Sequence, residues 1–248
     1  MRISCGEPSQ GFRRNANPLD GFTLIELLTV VSILGILGAL LLPALAGRRE
    51  HVRRVSCANT QHQWVVALHL YADENQQRLM PGSGYLPVIT STTSNALVLL
   101  LRNPKLLHCP NLADSFQPNT DFQRESAAHG LVIGFNYHGA HSGSPGKPPN
   151  YEPWTSPKRT TDGGNLVVLS DMNSWGDVFC FAPHGRNGAV RASGDVSNHR
   201  RLPISGWSSR ASELLGGLGG NVARLDGSVS WRKIALMKTY LGGCEAMW

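Results

Sequence analysis

The sequence predicts an α+β chain in which a long N-terminal helix, first apolar and then amphipathic, packs on an antiparallel β-sheet. Three observations carry that expectation. Leu27 to Gly47 contains no charged residue. Apolar residues then recur at helical spacing as far as Ala72. Near the other end, Leu225-Asp226-Gly227-Ser228 separates two strand-like runs with a hairpin turn signal.

As a helix the uncharged run measures about 31 Å at ~1.5 Å per residue, close to the ~30 Å hydrocarbon core of a bilayer. A single isolated segment cannot close a barrel, so a spanning helix is the structure that satisfies its backbone in lipid. Glu26 sits at the start of this segment. An acid at the bilayer centre costs roughly 2.5–3.5 kcal/mol, and less near an end where it reaches headgroups. Two readings of Glu26 stand side by side: an acid at the watery edge of the helix, or one that meets a positive charge. Hydrolysis between Gly21 and Phe22 would supply that charge as the new α-amino group of Phe22, about one turn from Glu26 in its own chain or on a neighbouring copy.

Beyond Gly47, Val52, Val55, Ala58, Val65, Leu68 and Ala72 fall on one helical face. Asp73-Glu74-Asn75 and Met80-Pro81-Gly82 end the pattern, giving a helix of about 54 residues, ~80 Å if unbroken. Its second half needs cover for one stripe, which a sheet would provide. Strand candidates are Leu131–Tyr137, Asn165–Ser170, Val178–Phe181 and Asn221–Trp231. A two-residue turn at Asp226-Gly227 would set Val222 opposite Trp231 and Arg224 opposite Val229. Gly139–Gly164 and Ala192–Gly220 read as irregular surface loops.

The 248 residues carry a net charge of +6, 27 Gly and 15 Pro with few aromatics, which fits one loop-rich domain outside the helix. The only dense basic cluster, Arg48 to Arg54, lies beside the apolar run without interleaved aromatics, which favours lipid headgroups over nucleic acid. Of the five cysteines, Cys57, Cys109, Cys180 and Cys244 follow the apolar segment. In an exported domain they permit two disulfides in any of three connectivities; buried free thiols are the alternative. With no Cys-x-x-Cys pair, and no acid pattern around His138, His141, His184 and His199, the histidines read as surface residues and no metal or other cofactor is expected. No Gly-x-Ser-x-Gly elbow or phosphate-binding loop appears, and no catalytic residue is assigned.

Gly21-Phe22-Thr23-Leu24-Ile25-Glu26-Leu27-Leu28 resembles the processing motif of type IV pilins and type II secretion pseudopilins. That resemblance implies cleavage after Gly21 by a prepilin peptidase, methylation of Phe22 and a role in assembly for Glu26 as an ion-pair partner. Pro43 falls where the family's helix carries a kink-forming proline, and a proline inside a helix removes a donor and bends it. Cys57-Ala58-Asn59, Tyr71-Ala72-Asp73-Glu74-Asn75 and His108-Cys109-Pro110 resemble pilin-like proteins with enlarged outer domains. Many of those end in a hairpin with His, nine residues and Asp-Gly; here position 216 is Gly, so no role is carried over to that hairpin. Some secretion pseudopilins bind calcium, but Asp171, Asp177, Asp195 and Asp226 match no EF-hand spacing and read as turn aspartates.

The organisation expected is a leader over 1–21, a membrane part of the helix over 22–47, its amphipathic continuation over 48–75, and a loop-rich outer β-domain over 76–248. The chain would be a non-enzymatic, structural subunit of a type II secretion pseudopilus or a related filament. The other readings are a type IV pilus subunit and a membrane-tethered enzyme or ligand-binding domain. Implied partners are prepilin peptidase, homologous pilin-like subunits, and the assembly platform and ATPase. Implied localisation is a single pass of the bacterial inner membrane, N-terminus cytoplasmic and C-terminal domain periplasmic. Two features pull the other way. Arg13-Arg14 and Ala44-Leu45-Ala46 also fit a secretory signal peptide, although the apolar run is long for one. Arg48, Arg49, Arg53 and Arg54 after the span oppose that orientation under the positive-inside rule.

Overall fold

The computed structural model describes residues 23–112, 130–141, 151–176, 179–186, 188–193 and 210–248, with side chains undescribed at 41–47 and 192–193. The fold is α+β: an N-terminal helix, α1 (Leu24–Glu74), and a large antiparallel sheet on which its later part packs. Two compact units divide the chain at Ala46 and Gly47.

In the first unit α1 presents Leu24, Ile25, Leu27, Leu28, Val30, Val31, Ile33, Leu34, Ile36, Leu37 and Leu40 to the outside, all exposed. Among the described residues no helix is long and apolar enough to cross a membrane.

Among the described residues of the second unit the main sheet has nine strands, all paired antiparallel. They are β3 (Phe135–Tyr137), β4 (Val167–Asp171), β5 (Ser174–Trp175), β6 (Phe179–Gly185), β7 (Gly188–Ser193), β8 (Gly217–Arg224), β9 (Val229–Lys233), β10 (Thr239–Gly242) and β11 (Cys244–Met247). Their order is β10-β11-β5-β6-β8-β4-β3, with β7 also on β6 and β9 also on β8. β1 (Val88–Ile89) and β2 (Leu131–Val132) form a separate pair. The described residues of this unit also include the α-helices α2 (Ser91–Leu101), whose N-cap Thr90 accepts a hydrogen bond from the Thr93 amide, and α3 (Ala211–Leu214).

The stripe that α1 buries is not the one hydrophobicity alone selects. Val65, Leu68 and Ala72 are buried as expected, but Val52 and Val55 are exposed. The inward positions are Glu50, Cys57, Gln61, Trp64 and Leu68, at steps of seven, four, three and four. Three of these are polar or sulfur-bearing, so the true face is hidden from an apolar count. Trp64 meets Phe135 edge-on at 6.0 Å between ring centroids and donates its indole N–H to the Leu106 carbonyl at 2.6 Å. Val168, Leu169 and Ala223 close the same core from the sheet.

The β8–β9 hairpin corrects the expected register by one residue. Asn221 pairs with Trp231, Val222 with Ser230 and Ala223 with Val229. Arg224 closes the loop by donating its amide to the Ser228 carbonyl at 2.9 Å, leaving a three-residue loop with Gly227 at φ 85°. A left-handed residue after a tight turn is the usual three-residue solution, and only Gly adopts it freely. The buried Leu225, whose amide donates to the Leu166 carbonyl, holds that loop against the sheet. Two further expectations change. The described part of Gly139–Gly164 is partly pinned: Trp154 donates to the Leu241 carbonyl at 2.9 Å and Tyr151 to Glu245 at 3.0 Å. The described parts of Ala192–Gly220 contribute the end of β7, α3 and the start of β8.

Candidate functional site

Helix α1 begins at a reciprocal cap. Thr23 donates its amide (2.9 Å) and hydroxyl (2.7 Å) to Glu26 Oε2, and the Glu26 amide donates to Thr23 Oγ1 at 3.3 Å. Thr-x-x-Glu is the capping-box pattern, which satisfies helix donors that have no partner within the first turn. The pattern is visible in the sequence, and it gives Glu26 a local task that the ion-pair reading omits.

A second constellation lies in the Gly47–Trp248 unit. Cys57 from α1, Cys109 from the turn after the 3-10 helix Pro104–Leu107, Asp171 at the end of β4 and His184 on β6 bring their donor atoms within 4.8 Å of one another. All four are buried. Cys57 Sγ donates to Asp171 Oδ1 at 2.9 Å, His184 Nε2 lies 3.1 Å from Asp171 Oδ2, and Cys109 Sγ lies 3.8 Å from His184 Nε2.

A shell of polar groups fixes these four. His184 Nδ1 contacts Glu50 Oε1 at 2.7 Å, and Glu50 is itself held by Arg54 (3.3 Å) and Asn111 (3.1 Å). Asp171 accepts from the Gln61 amide (2.8 Å), the Asn221 backbone N–H (2.6 Å) and the Asn221 side chain (3.1 Å). Trp231 meets the His184 ring edge-on, and the Arg54 guanidinium lies 4.1 Å over that indole. Gly220 is needed here, because a Cβ at that position would stand 2.9 Å from Asp171 Cβ and 2.7 Å from Asn173 Nδ2.

Electrostatics follow from burial and these partners. Burial disfavours a charged His184, but the Asp171 charge and hydrogen bonds with Asp171, Cys109 and Glu50 together push it up to about 12. Burial raises the Cys109 thiol, yet hydrogen bonds with Cys57 and His184 bring it down to about 7. Cys57 moves the other way, raised by burial and by its two acidic neighbours Cys109 and Asp171. The paired sulfurs thus differ: one resists ionisation and the other yields readily.

Residues 20–42 match the prokaryotic N-terminal methylation motif. The chain is also 30% identical over 89 residues, 36% of its length, to type II secretion system core protein G of Pectobacterium carotovorum subsp. carotovorum, and the match covers 56% of that protein. Over those stretches the chain is similar to a type II secretion system core protein, of whose length the match spans little more than half. No solved structure matches it.

Gly21 and Phe22 lie outside the described residues, Glu26 lies in the first turn of α1, and Pro43 falls within α1 with its side chain undescribed. Cys57, Cys109, Cys180 and Cys244 are all buried free thiols. Cys57 and Cys109 share the cluster above, whereas Cys180 packs near Trp175 and Ile234. The expectation of surface histidines is overturned for His138, His141 and His184, all buried; His199 lies outside the described residues. His138 contacts Ser170 Oγ at 3.0 Å and the Trp248 ring at 4.1 Å between centroids, within the sheet's aromatic core. Asp226 is a turn residue, accepting from the Ser228 amide at 2.9 Å, while Asp177 and Asp195 lie outside the described residues. Asp171, read as a turn aspartate, is instead fully enclosed. Spacing could not reveal the Cys57–Cys109–Asp171–His184 set, because its members are separated by 114 residues (Cys57 to Asp171) and 75 residues (Cys109 to His184).

Proposed function

We propose that this chain is a structural prepilin-like subunit of a type II secretion pseudopilus or a related filament, with the pilin-like arrangement of a long N-terminal helix carrying an outer β-domain. The observation that carries the reading is the match of residues 20–42 to the N-terminal methylation motif, together with a helix from Leu24 whose described first turns leave their large apolar side chains exposed. So much contiguous exposed apolar surface calls for a lipid or protein environment. In the proposed cycle, prepilin peptidase removes residues 1–21 and methylates Phe22. The apolar part of α1, over 22–47, rests in the bacterial inner membrane with the C-terminal domain on the periplasmic side. Extraction then packs it among homologous subunits, driven by the assembly platform and ATPase. Residues 48–75 continue the helix and 76–248 form the outer domain. Glu26 pairs with the Phe22 amine of a neighbour and sets the axial register, and Pro43 bends the helix. The chain supplies no catalysis in this scheme.

Intact mass and N-terminal peptide analysis of the mature protein provide the test. A chain beginning at methylated Phe22 is expected. A mature N-terminus at Gly47 would mean an ordinary secretory signal and would sink the proposal. A type IV pilus subunit would give the same N-terminus, so copurification with secretion-system or pilus components separates those two.

A further inference from the structure

We propose that Cys57, Cys109, Asp171 and His184 form a closed structural site for a zinc ion, which fastens helix α1 to the sheet. The donor set is two thiolates, one imidazole and one carboxylate, a combination suited to a borderline-soft, tetrahedral divalent cation. Zinc bonds of ~2.0–2.3 Å in a tetrahedron place neighbouring donor atoms about 3.3–3.8 Å apart. Here Cys57 Sγ lies 2.9 Å from Asp171 Oδ1, His184 Nε2 lies 3.1 Å from Asp171 Oδ2 and Cys109 Sγ lies 3.8 Å from His184 Nε2, and one donor atom from each of the four residues lies within 4.8 Å of the others. The set therefore needs only small side-chain adjustments to close on an ion.

The surroundings have the form that metal ligands require. His184 presents Nε2 to the cluster while Nδ1 faces the Glu50 carboxylate at 2.7 Å, which fixes the ring and raises its basicity. Gln61 and Asn221 hold Asp171 by three hydrogen bonds, so the carboxylate is already oriented. Burial of all four donor residues suits a structural rather than a catalytic ion. On binding, protons leave Cys57 Sγ, Cys109 Sγ and His184 Nε2 for solvent, and the ion's charge replaces them. Without an ion, a single imidazolium must offset two carboxylates beside two thiols in one largely dry space, which carries a desolvation cost. The four ligands come from α1, the Cys109 turn, β4 and β6, so one ion ties together the segments that build the main core. This site is independent of the role of the N-terminal motif.

The full chain, purified in detergent after expression with zinc, is assayed by elemental mass spectrometry. One tightly held zinc per chain is expected, and exchange with cobalt should yield thiolate-to-cobalt charge transfer and intense tetrahedral d–d absorption. Glu50→Gln, which leaves all four ligands intact, should keep the stoichiometry but weaken affinity about 10–100-fold. The Cys57→Ser, Cys109→Ser double variant should lose the charge-transfer band and the tight zinc. Undiminished zinc affinity in that double variant would overturn the proposal. So would a metal-free wild-type chain after zinc dialysis, whether its thiols are free or peptide mapping finds a Cys57–Cys109 disulfide.

Discussion

One substitution can separate the observed cap at Glu26 from its proposed ion pair. Its carboxylate closes the capping box with Thr23, and in the proposed filament it also neutralises a neighbour's N-terminal amine. Gln serves at this capping position as Glu does, but bears no charge. Glu26→Gln is therefore expected to leave the helix start and membrane fractionation intact while abolishing cross-linking of the chain into filaments. Thr23→Val should do the reverse, costing the helix about 0.5–2 kcal/mol as a lost cap while leaving assembly largely intact. Normal incorporation of Glu26→Gln would reduce Glu26 to a cap.

At the scale of elements, α1 depends on a face that mixes apolar, polar and sulfur side chains. Trp64 is fully enclosed between α1, Phe135 and Tyr137, so Trp64→Ala removes a large ring from a site that cannot collapse around the gap. A loss of about 3–5 kcal/mol is expected in denaturant unfolding of the full chain in detergent. Val52→Ser alters an apolar residue that the sequence placed on the same stripe, yet it faces outward, and its effect should stay within about 0.5 kcal/mol. Comparable losses from the two would show that the stripe had been assigned to the wrong face. The β8–β9 hairpin teaches the same lesson more finely. Its position was readable from Asp226-Gly227, whereas its register was set by the Arg224–Ser228 closure and by the buried Leu225, which belong to the assembled sheet.

At the scale of the whole molecule, the buried His138 and the half-buried His108 contribute to the response to acid. Burial holds His138 neutral and lowers it to about 3, with the nearby His141 acting in the same direction. Burial alone lowers His108 to about 4. In the unfolded chain both take protons near pH 6.5. Below that pH the unfolded state binds more protons than the folded one, so stability present above about 6.5 falls as the pH drops toward 3. The loss is at most about 1.4 kcal/mol per pH unit for each histidine. His138→Gln should flatten that slope in unfolding titrations between pH 6.5 and 4. An unchanged slope would place the acid sensitivity elsewhere.

By itself the sequence determined the features written in contiguous residues: the Gly21-to-Glu26 motif, the uncharged run behind it, the length of α1 and the place of the β8–β9 hairpin. Each rests on local chemistry or short periodicity, which adjacent side chains express directly. The sequence also held the Thr23–Glu26 cap and the Thr90 cap of α2, though the latter opens the Ser-, Thr- and Asn-rich start Ser91-Thr92-Thr93-Ser94-Asn95, whose residues have little helical propensity. Tertiary structure alone decided which face of α1 is buried, the one-residue register of β8 on β9, and the final β10–β11 hairpin at the positive-φ Gly243. It alone gathered Cys57, Cys109, Asp171 and His184. Long-range folding brings distant segments into one dry space, and donor atoms remote along the chain become neighbours there without any spacing to announce them.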